Sequence, residues 1–240
     1  PLGVVYSIAP WNYPLLTAVN VVVPALLAGN SVLLKHSPLT PLCGIHFEKA
    51  FGGLAVPNLV THLILTDKEA SRLIGNPAIH HVAFTGSVAT GRQVYQKAAK
   101  HLRSVGLELG GNDPAYVAAD ADLAAAVEGV LDGACYNAGQ SCCAVERVYV
   151  HRTLYSDFLE RAKSVLKRYH LGDPMEEAVT MGPLARKEAP SFLERQVQDA
   201  IGYGARLCFG GTRGNGNFFP PTLLADVSNE AAVMREETFG

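Results

Sequence analysis

Four short apolar runs in the first half of the sequence are each followed by polar or glycine-rich residues. The four exits are Pro10-Trp11-Asn12-Tyr13-Pro14, Lys35-His36-Ser37-Pro38, Gly86-Ser87 with Gly91, and Glu108-Leu109-Gly110-Gly111. A glycine-containing turn between a strand and a helix exposes backbone N–H groups at the helix N-terminus, where a phosphate binds well. Gly86, Ser87 and Gly91 fit this role. They depart from the G-x-G-x-x-G fingerprint, and a simple tight turn would also explain the glycines.

A candidate nucleophile lies in the second half of the sequence. Cys142 follows the glycine-containing stretch Asn137-Ala138-Gly139-Gln140-Ser141, and a thiol in such a turn is placed to attack a carbonyl carbon. The alternative is an ordinary packed thiol, which we expect for Cys43, Cys135 and Cys208. The five cysteines form no C-x-x-C pair, so no metal site is indicated, and their odd number favours a reducing, cytoplasmic setting.

The composition indicates a globular protein without a strongly charged partner. Of the 240 residues, 48% are hydrophobic and 18% are charged, and the formal net charge is −2. Because there is no basic run, neither nucleic acid nor an anionic membrane surface is an expected partner. The longest apolar stretch, residues 18–29, contains Asn20 and Pro24 and is shorter than the roughly 20 residues that a membrane span needs.

Short apolar runs alternate with helix-like segments, which predicts an α/β fold with a parallel sheet. The predicted strands are residues 3–9, 31–35, 60–65, 79–84, 104–109, 115–118, 147–150 and 206–209. The predicted helices are residues 15–27, 41–51, 67–74, 88–101, 123–136, 155–169 and 191–203. Right-handed crossovers place the carboxyl ends of parallel strands at one edge, where ligands bind. Leu109-Gly110-Gly111 indicates a hinge, so we predict two lobes, residues 1–109 and 110–240.

Taken together, five motifs resemble the aldehyde dehydrogenase superfamily in type and in order. They are Pro10-Trp11-Asn12-Tyr13-Pro14, Phe84-Thr85-Gly86-Ser87, Glu108-Leu109-Gly110-Gly111, Gly139-Gln140-Ser141-Cys142 and Glu236-Glu237-Thr238-Phe239-Gly240. The likeness spans essentially the whole chain, and modest motifs in a fixed order are together strongly specific. It implies that residues 1–109 form part of a Rossmann-like NAD(P)-binding domain and residues 110–240 part of an α/β catalytic domain.

The resemblance implies an enzyme that oxidises an aldehyde to a carboxylate with NAD or NADP. Cys142 is the implied nucleophile, which forms a thiohemiacetal and then a thioester. Asn12 is implied to donate its amide to the oxyanion, and Glu108 to act as the general base that activates the hydrolytic water. From the residues alone, Asn12 fits equally a turn before Pro14, and Glu108 fits a capping or salt-bridged carboxylate.

Six residues are implied to bind the cofactor, namely Trp11, Lys35, Gly86, Ser87, Glu237 and Phe239. By the resemblance, Lys35 holds the adenosine ribose, and Gly86 and Ser87 lie at the pyrophosphate with Trp11 nearby. Glu237 binds the nicotinamide ribose, with Phe239 beside it. From the residues alone, Lys35 and Glu237 are equally compatible with solvated charges, and Trp11 and Phe239 with core aromatics.

One departure from the family pattern concerns the choice of cofactor. Many NAD-preferring members carry a glutamate three residues after the lysine, where this sequence has Pro38. A carboxylate at that position repels a 2′-phosphate, whereas a proline does not, and Lys35 and His36 favour the phosphate. We therefore expect NADP to be tolerated or preferred.

A second departure is length, because members of the family are about twice as long as this chain. We expect a central fragment of a longer protein, or a truncated relative that needs a partner, and a homo-oligomer for the full-length protein. Two other functions stay open. The first is a CoA-acylating aldehyde dehydrogenase, against which Glu108 argues. The second is a non-catalytic scaffold, against which Cys142, Asn12 and Glu108 argue. The exit after Leu34 loosely resembles succinate-semialdehyde dehydrogenase-like members, and the aldehyde is otherwise undefined.

Overall fold

A computed structural model describes residues 1–240, which form two compact units, Pro1–Gly110 and Gly111–Gly240. The predicted α/β fold with a parallel sheet is confirmed. The division between the units lies beside the expected boundary of the lobes. The assignment of the lobes to a cofactor domain and a catalytic domain stays a prediction.

Unit 1 is built on a five-stranded sheet with the order β3-β2-β1-β4-β5, in which every pairing is parallel. Its strands are β1 (Val4–Ala9), β2 (Ser31–His36), β3 (Val60–His62), β4 (His81–Thr85) and β5 (Ser104–Glu108). Its helices are α1 (Pro14–Leu27), α2 (Pro41–Phe51), α3 (Asp67–Ile74) and α4 (Val88–Ala99). A helix connects each strand to the next up to β5, as parallel pairing requires.

The sheet of unit 1 has an apolar core on each of its two faces. Successive residues of a strand point to opposite faces, so Val5 packs with Val22 and Leu34 on one side and Tyr6 packs with Val82 and others on the opposite side. Because both faces are covered, the central strands are nearly continuous apolar runs instead of alternating ones.

The helices of unit 1 begin where the sequence provides caps. Thr66 and Glu69 form a capping box at the start of α3, and Ser87 caps α4 by accepting the N–H of Thr90 at 3.3 Å. Helix α1 begins with Pro14 at a position where the missing N–H costs nothing. These starts fix the points at which the chain leaves the sheet.

Unit 2 combines a parallel pair of strands with a separate antiparallel pair. Its strands are β6 (Asp113–Val117), β7 (Val145–Val150), β8 (Arg206–Phe209) and β9 (Leu223–Ala225), and its helices are α5 (Leu123–Cys135), α6 (Tyr155–Leu166) and α7 (Ala189–Gly202). Helices α5 and α6 pack on the parallel pair through a core that includes Val117, Val127 and Phe158. Asp122 caps α5 by accepting the N–H groups of Ala124 and Ala125.

The structure differs from the sequence-based elements mainly at short strands. The strand expected at residues 60–65 ends at His62, because β3 lies at the sheet edge and pairs with β2 only over Val60–His62. Strand β9 and its antiparallel pairing with β8 were not predicted, because three residues carry too little periodicity to be recognised. No helix combines the length and the apolar character required to cross a membrane.

Candidate active site

The strand order of unit 1 reverses direction at β1, since β2 and β3 lie on one side of it and β4 and β5 on the other. In open α/β sheets this reversal creates a crevice at the carboxyl ends of the two strands. Here Ile8 pairs with Phe84, so the loop that contains Trp11 and Asn12 and the turn at Gly86 leave the sheet side by side. The N-termini of α1 and α4 lie at the same edge.

The Gly86–Gly91 turn is shaped by close packing at both glycines. A Cβ atom on Gly86 would come within 2.7 Å of the Phe84 ring, and one on Gly91 within 2.5 Å of the Leu109 side chain. Ser87 is exposed, caps α4, and donates from Oγ to Oγ1 of Thr90 at 3.1 Å. The turn therefore presents a hydroxyl and helix N-terminal N–H groups at the crevice, as a phosphate site requires.

Lys35 is buried near the carboxyl end of β2, with 5% of its surface exposed. Its Nζ lies 3.3 Å from Oδ1 of Asp67, the first residue of α3. The possibility of a merely solvated strand-end lysine is thereby removed. A buried lysine at the edge where cofactors bind suits the role that the resemblance implies, which stays a prediction.

Two histidines lie close together near the carboxyl end of β2. His36 was expected from the sequence only to favour a 2′-phosphate, and His62 was not identified because it stands in no recognisable motif. His36 is buried and its Nε2 lies 2.9 Å from the carbonyl oxygen of Pro14, so Nε2 carries the hydrogen. Its Nδ1 and the Nε2 of His62 are buried without hydrogen-bond partners, and the two rings lie 6.1 Å apart, edge to face. Burial is the largest cause that lowers the pKa of each ring below its usual value.

Glu108 and Asn12 lie at the same edge of the sheet in unit 1. Glu108 is the last residue of β5, pairs in register with Thr85, and is exposed. The N–H of Gly86 donates to its backbone carbonyl at 3.0 Å. Trp11 and Asn12 are half-buried in the loop between β1 and α1. The structure thus brings Trp11, Asn12, Lys35, Ser87 and Glu108 to one edge.

Cys142 of unit 2 follows a turn made of three consecutive left-handed residues, Asn137, Ala138 and Gly139, with φ of 53°, 54° and 72°. Asparagine and glycine tolerate this region, whereas alanine pays a cost there. The turn is held by Gln140, which donates to the Asn137 carbonyl at 3.0 Å and accepts the N–H of Ala185 at 2.9 Å. The segment ahead of Cys142 is therefore a fixed piece of backbone.

The Cys142 residue is exposed, and its thiol lies near Cys143 and Glu237. Partial burial of the thiol is the largest cause that raises its pKa, and Cys143 and Glu237 raise it further. The hydroxyl of Ser141 lies 3.3 Å from the sulfur of Cys143. With a raised pKa, the Cys142 thiol depends on a base to become a nucleophile at neutral pH.

Glu237 lies close to Cys142 in unit 2, since Gly111 contacts both residues. A Cβ atom on Gly111 would lie 3.1 Å from the Cys142 carbonyl oxygen, and the backbone N–H of Gly111 faces the Glu237 carboxylate and lowers its pKa. Burial raises the pKa of Glu237, and its Oε1 is buried without a hydrogen-bond partner. An unpartnered buried carboxylate oxygen fits a ligand that donates hydroxyl groups, as a ribose does. Phe239 follows in the left-handed region, with φ of 55°.

The five-stranded order of unit 1, with its glycine-containing turn at the reversal, places it in the Rossmann class of α/β folds. The model of the aldehyde dehydrogenase family matches residues 1–240, and the chain belongs to that family.

Similar proteins are known across the full length of the chain. It is 41% identical over 244 residues to lactaldehyde dehydrogenase of Escherichia coli (strain K12), covering 100% of this chain and 51% of that protein. It is 40% identical over 245 residues to the succinate-semialdehyde dehydrogenase [NADP(+)] GabD of the same strain, with the same coverage. A crystal structure described as an E. coli NADP-dependent enzyme superposes with a TM-score of 0.96 at 38% identity, covering 100% of this chain and 51% of that chain. The chain therefore spans about half the length of the curated relatives that it matches.

Proposed function

We propose that the protein containing these 240 residues oxidises an aldehyde to a carboxylate through a covalent intermediate on Cys142, with NAD or NADP as cofactor. The observation that carries the proposal is the exposed Cys142 on its fixed left-handed turn, beside a carboxylate with a buried, unpartnered oxygen. Membership of the aldehyde dehydrogenase family supports the same hypothesis.

Cys142 begins the reaction by attacking the carbonyl carbon of the aldehyde. The C–S bond forms as the C=O π bond opens, which leaves an oxyanion on a thiohemiacetal. Asn12 donates to this oxygen from its side-chain amide, which is a neutral donor, and the backbone N–H of Cys142 is the second donor. Because the thiol pKa is raised, proton removal needs a base, and Glu108 is the carboxylate that we assign to it.

When bound, the cofactor would supply the acceptor for the hydride that leaves the former aldehyde carbon. What remains on Cys142 is a thioester. Glu108, after it has passed the thiol proton to solvent, removes a proton from a water molecule that attacks this thioester. It returns that proton to the sulfur as the C–S bond breaks, which restores the thiol and releases the acid, and the acid ionises in water. The exposed position of Glu108 at the end of β5 gives water access to it.

The residues present fit a dinucleotide cofactor in both units. In unit 1, the Gly86 turn and Ser87 would hold the pyrophosphate with Trp11 nearby, and Lys35 the adenosine ribose. In unit 2, the unpartnered Oε1 of Glu237 would accept a ribose hydroxyl, with Phe239 beside it. Pro38 leaves no carboxylate three residues after Lys35, and relatives named for NADP(+) support acceptance of the 2′-phosphate.

The names of the relatives support a small aldehyde that carries a second polar group as substrate. Two of them are named for lactaldehyde and succinate semialdehyde, which bear a hydroxyl and a carboxylate. We therefore assign this class of aldehyde to the protein.

The test is turnover of an aldehyde panel with NAD and NADP, followed at the absorbance band of the reduced nicotinamide. We expect Cys142→Ser to lower kcat by about a thousandfold or more, and the matched variant Cys143→Ser to keep most of the activity. Acyl-CoA formed on addition of CoA would assign the protein to the acylating relatives. Equal losses in the two variants, or no turnover of any aldehyde by the wild type, would refute the proposal.

A further inference from the structure

Two side chains of unit 2 grip the chain on either side of Glu237. On one side, Nδ2 of Asn112 donates to the carbonyl oxygen of Glu236 at 2.8 Å and to that of Val233 at 3.3 Å. On the other side, the Glu146 carboxylate accepts the backbone N–H of Thr238 at 2.9 and 3.0 Å and that of Phe239 at 2.9 Å. We call Asn112 and Glu146 together the clamp.

The clamp is built on the paired ends of two strands. Asn112 directly precedes β6, Glu146 lies in β7, and Asp113 pairs with Val145 in the parallel register. Arg147 donates from Nε and Nη2 to the backbone carbonyl of Asn112, at 3.0 and 2.6 Å. The two gripping side chains are therefore fixed to each other by the sheet and by a charge-assisted bond.

The clamp holds a backbone that would otherwise relax. Phe239 has a φ of 55°, a region that residues other than glycine seldom adopt, and Gly240 packs against Gly139 so closely that a Cβ on Gly139 would lie 2.6 Å from its carbonyl carbon. One charge-assisted bond, from the N–H of Phe239 to the Glu146 carboxylate at 2.9 Å, holds this conformation in place. The Cys142 turn and the Glu237 segment therefore meet in one arrangement.

Glu146 places a carboxylate at a position where it costs free energy, because the carboxylate is partly removed from water and lies near other acids. Its carboxylate is half-buried, and the acids that face it are Glu237 and Asp113. Burial and these two acids raise its pKa, while the N–H groups of Phe239 and Thr238 lower it. A partly buried charge needs hydrogen bonds to offset its loss of hydration, and those that Glu146 accepts come from the two residues that follow Glu237.

We propose that Asn112 and Glu146 are positioning residues that hold Glu237 beside Cys142. Neither touches the reacting atoms, and both act through the Glu236–Phe239 backbone. The consequence for cofactor binding rests on the proposed function, because it assigns Glu237 to the nicotinamide ribose. The consequence for Cys142 does not, since the thiol and Glu237 are neighbours within unit 2.

The first test measures cofactor binding in the protein containing this chain. We expect Glu146→Ala and Asn112→Ala to raise KM for NAD(P) about tenfold, with a smaller change in kcat, because each removes the side chain's hydrogen bonds to the segment. Glu146→Gln keeps one acceptor oxygen and should fall between Glu146→Ala and the wild type. The matched control is Glu128→Gln, which removes an exposed carboxylate paired with Arg168 on the surface of the same unit.

The second test measures the rate of iodoacetamide reaction at Cys142 against pH, without cofactor or aldehyde. Cys143 and Glu237 are the titratable groups that face the thiol and raise its pKa, so Glu237→Gln should shift the profile to lower pH. We expect Glu146→Ala to shift it in the same direction, because a released Glu237 leaves the thiol, and Glu146→Asp to restore part of the wild-type profile. Thermal unfolding of each variant identifies any that fail to fold, in which case Asn112→Ala and Glu146→Gln decide.

The outcomes separate the two proposals. A KM within twofold of wild type and an unmoved alkylation profile in Asn112→Ala and Glu146→Ala would overturn the clamp. A wild type without NAD(P)-dependent turnover would refute the proposed function. The clamp would then be supported or overturned by the alkylation profile alone.

Discussion

The ammonium group of Lys35 lies 3.3 Å from a carboxylate oxygen of Asp67, and the two side chains differ sharply in exposure, at 6% and 90%. Lys35 reaches the sheet edge from the interior, whereas Asp67 stands in solvent at the start of α3. The lysine proposed to hold the adenosine ribose therefore has a negative charge beside it, although Pro38 removes the acid that many relatives place nearby.

We predict that Asp67→Asn raises the preference for NADP over NAD. The Asp67 carboxylate would repel a 2′-phosphate bound near Lys35. Without that carboxylate, the Lys35 ammonium group is available to pair with the phosphate. Because Asp67 is exposed and screened, we expect a change of only about two- to fivefold in the ratio of kcat/KM values, smaller at high salt. Asp120→Asn, at an exposed acid of unit 2, is the control. A ratio that stays constant or moves toward NAD would contradict the assignment of Lys35.

Ser87 offers a test that separates capping from cofactor binding. Ser87→Ala and Asp122→Ala each remove an N-cap, of α4 and α5 respectively, and each should lower the free energy of unfolding by about 1 kcal/mol. Only Ser87 lies at the crevice between β1 and β4, so only its variant should also raise KM for NAD(P). Urea unfolding and steady-state kinetics on both variants measure the two effects. Equal cofactor constants in the two variants would mean that Ser87 is a cap and nothing more.

The fold was predictable because its signals are local. Pro14, Thr66 and Ser87 mark helix starts, and the apolar runs of unit 1 are long enough to identify strands on both sides of each helix. The edge to which Lys35, Ser87 and Glu108 belong follows from right-handed crossovers alone.

The contacts that position the site were less accessible to sequence reasoning. Asn112 and Glu146 act on residues more than ninety positions away in the chain, and no periodicity connects them to Glu237. His36 and His62 come together because β2 and β3 pair in parallel, so their sequence spacing carries no pattern. These contacts depend on which strands pair and in what register, whereas the sequence predicts only the order of the strands and helices.

The histidine pair formed by buried His36 and half-buried His62 predicts a loss of stability on the acid side. Because the pKa values of His36 and His62 are lowered in the fold, the unfolded chain binds protons more readily between those values and about 6.5. The contribution of these neutral histidines to the free energy of unfolding is therefore fully present above about pH 6.5 and is lost as the pH falls below it. Glu48, which raises the pKa of His62, opposes part of this loss.

His62→Phe tests the pair directly. Phenylalanine keeps a ring against Gly44 and removes a buried nitrogen that has no partner, so we expect a smaller drop in the unfolding midpoint between pH 7.5 and pH 5.5. The exposed His46 on α2 provides the matched substitution, His46→Phe, which should leave the drop as in the wild type. The prediction is wrong if the unfolding midpoint drops by the same amount between pH 7.5 and pH 5.5 in both variants.

The left-handed turn before Cys142 predicts opposite effects for two glycine-to-alanine substitutions in unit 2. Gly139 has a φ of 72°, and a Cβ there would lie 2.6 Å from the carbonyl carbon of Gly240, so Gly139→Ala should cost at least about 2 kcal/mol of unfolding free energy. Gly129 lies within α5 with open space around it, so Gly129→Ala should stabilise by about 0.5–1 kcal/mol.

The same pair of variants also tests whether this turn sets the position of the nucleophile. Gly139→Ala displaces the backbone that carries Cys142 and presses on the segment that carries Glu237, so iodoacetamide labelling of Cys142 and aldehyde turnover should both change. Gly129→Ala should leave both at wild-type values, because a helix substitution into open space moves neither segment. If Gly139→Ala lowers stability yet keeps labelling and turnover, the turn supports the fold without positioning Cys142.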